Sequence, residues 1–125
     1  METGNVVADK SYAFSVRIVK MCRSLSKRHT TDYVLIRQVL KSGTAIGALV
    51  SEAKFAQSKA DFINKNNIAL KEANETKYWL NLFHDTGILS EKEYTSIFPD
   101  CVELVKILVS IINSLKTNSK EVVFD

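Results

Sequence analysis

Apolar residues along this chain recur at helical spacing, and four such stretches can be separated. Phe14, Ile18, Met21 and Leu25 follow at intervals of 4, 3 and 4, one stripe of an amphipathic helix. This predicts a first helix over about 10–27, preceded by an aperiodic, flexible tail over 1–9. The segment "SKRHTTD" breaks the pattern, and Thr31 or Asp32 can cap the next helix with a side-chain oxygen. A second helix is predicted over about 33–57, with Leu35, Val39, Ile46, Val50 and Ala53 leaning to one side.

Ser58 followed by Asp61 reads as a capping box that opens a third helix, over about 59–86. Its stripe is Phe62, Asn66, Ala69, Ala73, Thr76, Leu80 and Phe83, a heptad seam with two polar members. Gly87 sits where a left-handed C-cap is needed, with Ile88 as its hydrophobic contact. "SEKE" from Ser90 to Glu93 is a second capping box. The last helix is predicted over about 91–117, with Tyr94, Phe98, Cys101, Val105, Leu108, Ile112 and Leu115 as its seam. Pro99 lacks an N–H and crowds the preceding turn, so a kink, or a main helix starting at Pro99, is expected there. Residues 118–125 read as a polar C-terminal tail.

Four amphipathic helices with short connections predict an all-α, up-and-down antiparallel four-helix bundle of left-handed packing, occupying residues 10–117. The apolar residues of the second and third helices wrap further round than one core requires, which points to self-association. Composition agrees. The chain has 125 residues, enough for one domain, with 46% hydrophobic and 25% charged residues. One proline and four glycines leave little material for the many tight turns of an all-β domain. "CVELVKILVSII" is the longest apolar-leaning run, and Glu103 and Lys106 interrupt it, so no membrane association is expected. The polar opening "METGNVVADK" and two cysteines without CxxC spacing predict a cytoplasmic protein with reduced thiols.

Charge changes the picture more. The net charge is only +3, but residues 1–50 carry +5 and residues 51–125 carry −2. Arg17, Lys20, Arg23, Lys27, Arg28, Arg37 and Lys41 form a candidate nucleic-acid-binding set in the basic half. A solvated helix face has the same composition.

No arrangement of residues points to catalysis. "KSGTAIGALVSEA" places two glycines four residues apart. It lacks the spacing, the lysine and the preceding strand of a phosphate-binding loop. Gly43 and Gly47 instead share one helix face, where they admit a neighbouring backbone. His29 and His84 have no partners at metal-ligand spacing apart from Asp85, which on a helix points about 100° away from the adjacent His84, so no metal and no cofactor is expected. Glu52, Glu72 and Glu75 read as ion-pairing or polar-face residues. Cys22 and Cys101 lie on or beside apolar stripes and read as inert thiols. Lys77, Tyr78 and Trp79 form an aromatic–basic cluster that suits base stacking or packing.

"SGTAIGALVSEA", "AQSKADFINKNNIALKEANETKYWLNLF" and "TGILSEKEY" occur here in that order. Together they resemble the large-subunit (23S) ribosomal RNA intervening-sequence proteins, or S23 family, from about Phe14 to about Leu115. Leu49 departs from the family's frequent "SGTSIGAN", which has Asn at that place. The resemblance implies a four-helix bundle assembled as a homopentameric ring. It also implies kinship with accessory proteins of diversity-generating retroelements, basic bundles that bind nucleic acid and a reverse transcriptase. The family offers no catalytic residues to carry over. Two readings follow: a non-enzymatic oligomeric scaffold binding RNA or DNA through the basic face, or a module that docks a partner protein without nucleic acid.

Overall fold

The structure is a computed structural model that describes residues 3–121. Four α-helices account for nearly all of it: α1 (Thr3–Arg28), α2 (Tyr33–Ala53), α3 (Lys59–Asp85) and α4 (Glu91–Glu121). No strand occurs among the described residues.

Cross-helix contacts fix the topology. Cys22 meets the Ile36 carbonyl, and Ile18 faces Gly43. Ser42 meets Thr76, and Glu52 meets Lys65. Cys101 meets the Ala73 carbonyl, and Tyr94 meets Asn81. In each pair of helices one number rises as the other falls, so successive helices are antiparallel. α1 and α4 close the ring of neighbours, packing less extensively than the other three pairs.

The core is a continuous apolar cluster. Phe14, Ile18 and Leu25 from α1 meet Val39 and Ile46 from α2, Leu80 and Phe83 from α3, and Leu104 and Leu108 from α4. α3 buries Asn66, Ala69, Ala73, Thr76, Leu80 and Phe83, its expected seam apart from the half-buried Phe62. α4 buries Cys101, Leu108 and Ile112 of its expected seam and departs from it at two places. Ile97 and Leu104 are buried, while Phe98 and Val105 are only half-buried. Met21 and Leu35 are likewise half-buried, and Cys22 and Ile36 take the inner positions.

The termini of the helices differ from expectation in three places. Residues 3–9, expected as a flexible tail, are helical, because Val7 and Ser11 continue the inward face of α1 and are buried. α2 ends at Ala53 and α4 runs on to Glu121. The rest of the expected C-terminal tail lies outside the described residues. Pro99 does not begin a helix. It lies inside α4, which runs unbroken from Glu91.

Capping is uneven. Asp32 makes no side-chain cap to α2. The chain instead passes through a 3-10 turn over Thr30–Asp32, and the Asp32 carboxylate lies 3.7 Å from His29 Nδ1. Ser58 Oγ accepts the Asp61 N–H at 3.0 Å. Ser90 and Glu93 form a reciprocal box, with Glu93 N–H donating to Ser90 Oγ at 3.1 Å and Ser90 N–H to Glu93 Oε1 at 2.9 Å. Gly87 adopts φ +81°, a left-handed turn that a Cβ would strain.

By length and mean hydropathy, Thr30–Ala53 is apolar enough to cross a bilayer. The apolar run chosen from the sequence, in α4, is therefore not the strongest one. In the fold this helix turns Ile36, Val39, Ile46 and Val50 into the bundle and carries Arg37 and Lys41 outward.

Candidate nucleic-acid interface

The seven basic residues do not form one patch. α1 divides them between its two flanks. On the α4 side, Arg17 donates to Asp100 Oδ2 at 2.5 Å, to the Ser96 carbonyl at 3.0 Å and to Ser96 Oγ at 2.6 Å. Arg28 pairs with Glu93 at 2.6 Å, and Lys10 with Glu103 at 3.0 Å. These three ion pairs stitch α1 to α4 along its length. Arg17 and Arg28 are therefore engaged within the fold.

Lys20, Arg23, Lys27 and Lys41 form no ion pair among the described residues. Lys20, Arg23 and Lys27, at intervals of three and four, lie along the exposed side of α1. Between α1 and α2 runs a groove of about 550 Å³, lined by Arg23, Lys27, Arg37 and Tyr33 over a floor that includes Val19 and Cys22. No carboxylate lines it. On the other flank, a groove of about 420 Å³ between α1 and α4 is lined by Lys20 and Lys92, and also by Glu93, the partner of Arg28. Lys92 also makes no ion pair among the described residues. Sequence reasoning missed it, because it belongs to the half of the chain with net negative charge. Its position in the first turn of the α4 helix, facing α1, is a tertiary fact.

Arg37 Nη1 donates to the Tyr33 hydroxyl at 3.0 Å, and its guanidinium carbon lies 5.6 Å from the ring centroid. The Tyr78–Trp79 pair is different. Its rings meet edge to face, with centroids 5.1 Å apart. Trp79 packs against the core and donates Nε1–H to Glu75 at 3.3 Å, while Tyr78 is exposed.

The small residues of α2 face two neighbours. A Cβ on Gly43 would lie 2.9 Å from Ile18 Cγ1. On Gly47 it would lie 2.9 Å from Ser15 Oγ and 3.1 Å from the Ser11 carbonyl oxygen. Ser42, between these contacts and α3, shares a hydroxyl–hydroxyl bond of 2.9 Å with Thr76, which donates to the Glu72 carbonyl at 2.8 Å. Leu49, at the family's frequent Asn position, is half-buried against the core.

The candidates for chemistry are spread apart. Glu52 is exposed and pairs with Lys65 at 3.9 Å. His84 contacts Glu91, lies 3.5 Å from Asp85 and stacks on Tyr94 at 4.1 Å. No group of His, Cys, Asp and Glu suited to a metal ion occurs among the described residues. Burial pushes the Cys22 thiol up to about 11. For Cys101 burial is again the main cause, lifting it to about 12. Both stay protonated near neutrality and so are poor nucleophiles.

These features define a class: an all-α bundle with a close-packed core and a basic, groove-flanked outer helix. Residues 4–110 match the family model described as 23S rRNA-intervening sequence protein, and the chain belongs to that family. It is also similar to a protein of unknown function from the S23 ribosomal protein family of Bacteroides thetaiotaomicron, whose crystal structure was determined at 1.70 Å. The two are 51% identical with a TM-score of 0.86, covering 90% of this chain and 99% of that one. None of the curated proteins matches the chain.

Proposed function

We propose that the protein is a non-enzymatic, self-associating scaffold that binds RNA or DNA through phosphate contacts across the exposed face of α1. One observation carries the reading. Lys20, Arg23 and Lys27 lie along the exposed side of α1, with Arg37 on one flank and Lys92 on the other, and no carboxylate pairs with any of them. Cations left unpaired on a fold that pairs Arg17 and Arg28 are available for phosphates, and each phosphate neutralised releases counterions. Self-association would repeat the face and raise its avidity. Exposed Tyr12, Val34, Phe55 and Tyr78 supply apolar surface for it.

The test is a fluorescence-anisotropy titration at two salt concentrations. Binding is expected to weaken steeply with salt. Joint replacement Arg23→Gln and Lys27→Gln should lower the salt slope by roughly 2, while Arg17→Gln leaves it unchanged. Absence of binding to RNA and DNA at low salt would overturn the reading. A protein partner retained at high salt, without nucleic acid, would favour a docking module built on the same apolar residues. A monomeric mass by light scattering would remove the avidity.

A further inference from the structure

Tyr33 is the first residue of α2, and 54% of its surface is exposed. Core packing does not account for an aromatic ring in that position. The ring is held in place nonetheless. The hydrogen bond from Arg37 one turn later fixes its hydroxyl, and the guanidinium lies near the ring. Tyr33 and Arg37 together form a wall between two grooves. One is the carboxylate-free groove toward α1, with Arg23 and Lys27. The other is a groove of about 400 Å³ on the outer face of α2, lined by Gln38 and Lys41 and again by no carboxylate.

From this arrangement we propose that the Tyr33–Arg37 wall is a base-stacking site for single-stranded nucleic acid. A nucleobase stacks on the phenol, and its neighbouring phosphates lie in the cationic grooves on either side. The inference rests on the reading that this face binds nucleic acid, and it names which form is preferred. Within a duplex, away from its two ends, each base face is already covered by the next base pair, so an exposed ring has no face to stack on. An unpaired base has a free π-face, and stacking is tolerant of sequence because every base has one. The cations alone would attract both forms. The ring makes the difference between them.

The experiment titrates the full chain, at one fixed low salt concentration, against a labelled single-stranded oligonucleotide of mixed sequence and against its blunt duplex. The parent protein should bind the single strand about tenfold more tightly, the scale of one base–aromatic stack. Tyr33→Ala should lose about tenfold on the single strand and leave duplex binding unchanged. Tyr33→Phe loses the hydroxyl bond but keeps the ring and its contact with the Arg37 guanidinium, and should retain most of the preference for the single strand. Circular dichroism confirms that the exposed substitutions leave the bundle folded. Equal losses on both probes, no loss with Tyr33→Ala, or a preference for duplex would overturn the stacking site and leave the phosphate-binding face standing. No binding to either probe would overturn both.

Discussion

α1 is held by different physics on its two sides. Against α2 the helices touch through glycines, with Gly47 set against the backbone of Ser11 and Gly43 against Ile18. Against α4 the contact is less extensive and is spanned by three ion pairs whose members are mostly a third to a half exposed. The first side depends on the absence of atoms and the second on charges that water partly screens. Close packing cannot relax to admit a side chain, whereas an exposed ion pair can be lost at little cost. The α2 side therefore sets the stability of the bundle. The α4 side determines which cations remain free for a ligand.

The sharpest way to break this contrast is to fill the close contact. Gly47→Leu places a branched side chain where even a Cβ meets backbone at 3.1 Å. Overpacking of this kind costs about 1–3 kcal/mol, and here the upper end is expected because main chain cannot rotate away. Denaturant unfolding measures it. A Leu variant with parental stability and native mass would mean that α1 and α2 do not approach this closely.

The two sides also differed in how far they could be read in advance. The glycine spacing in "KSGTAIGALVSEA" was legible because a gap in side-chain volume is written in one local stretch. What closes the gap, Ser11, Ser15 and Ile18, was not. The seam of α3 was legible because its inward positions, Asn66 and Thr76 apart, are small or apolar while Lys71, Asn74 and Glu75 point outward. α4 is apolar on several sides, so its seam is legible at Cys101, Leu108 and Ile112 but not at Phe98 and Val105, whose places are taken by Ile97 and Leu104. Arg17 and Arg28 entered the candidate interface because their partners, Asp100 and Glu93, lie 83 and 65 residues away in the chain. No local charge count reveals such pairs, and the same blindness hid Lys92.

Next in size is the cap that begins α4. Ser90→Ala removes the acceptor of the Glu93 N–H. Loss of such a cap costs about 1 kcal/mol, and Ser90→Asp, which keeps an acceptor, should recover most of it. A drop in thermal midpoint rescued by Asp supports the box, whereas an equal drop in both variants counts against it. Replacing Arg17 with Ala should cost less still. Its pair with Asp100 is 42% and 45% exposed, and exposed pairs contribute about 0–1 kcal/mol. The loss should shrink further in high salt. A loss above that of Ser90→Ala would show that the seam with α4 is not the weaker side.

The smallest effect is also the one that joins cap and seam in a single side chain. Partial burial pushes the Glu93 carboxyl up, but bonds from the Ser90 N–H, the Arg28 guanidinium and the Ser90 hydroxyl, with the charge of Arg28, outweigh it and hold the group below the ordinary carboxylate value. The unfolded chain therefore takes up this proton more readily than the folded one. The contribution of Glu93 is fully present above the ordinary carboxylate value and is lost as pH falls through the lower folded-state value. Glu93→Gln should accordingly flatten the acid limb of the stability profile while leaving its shape near neutrality unchanged. Arg28→Ala should flatten it only in part, because Ser90 still bonds the carboxylate. If Arg28→Ala flattened the limb as fully as Glu93→Gln, the seam rather than the cap would govern this carboxylate, and α4 would depend on α1 for its first turn.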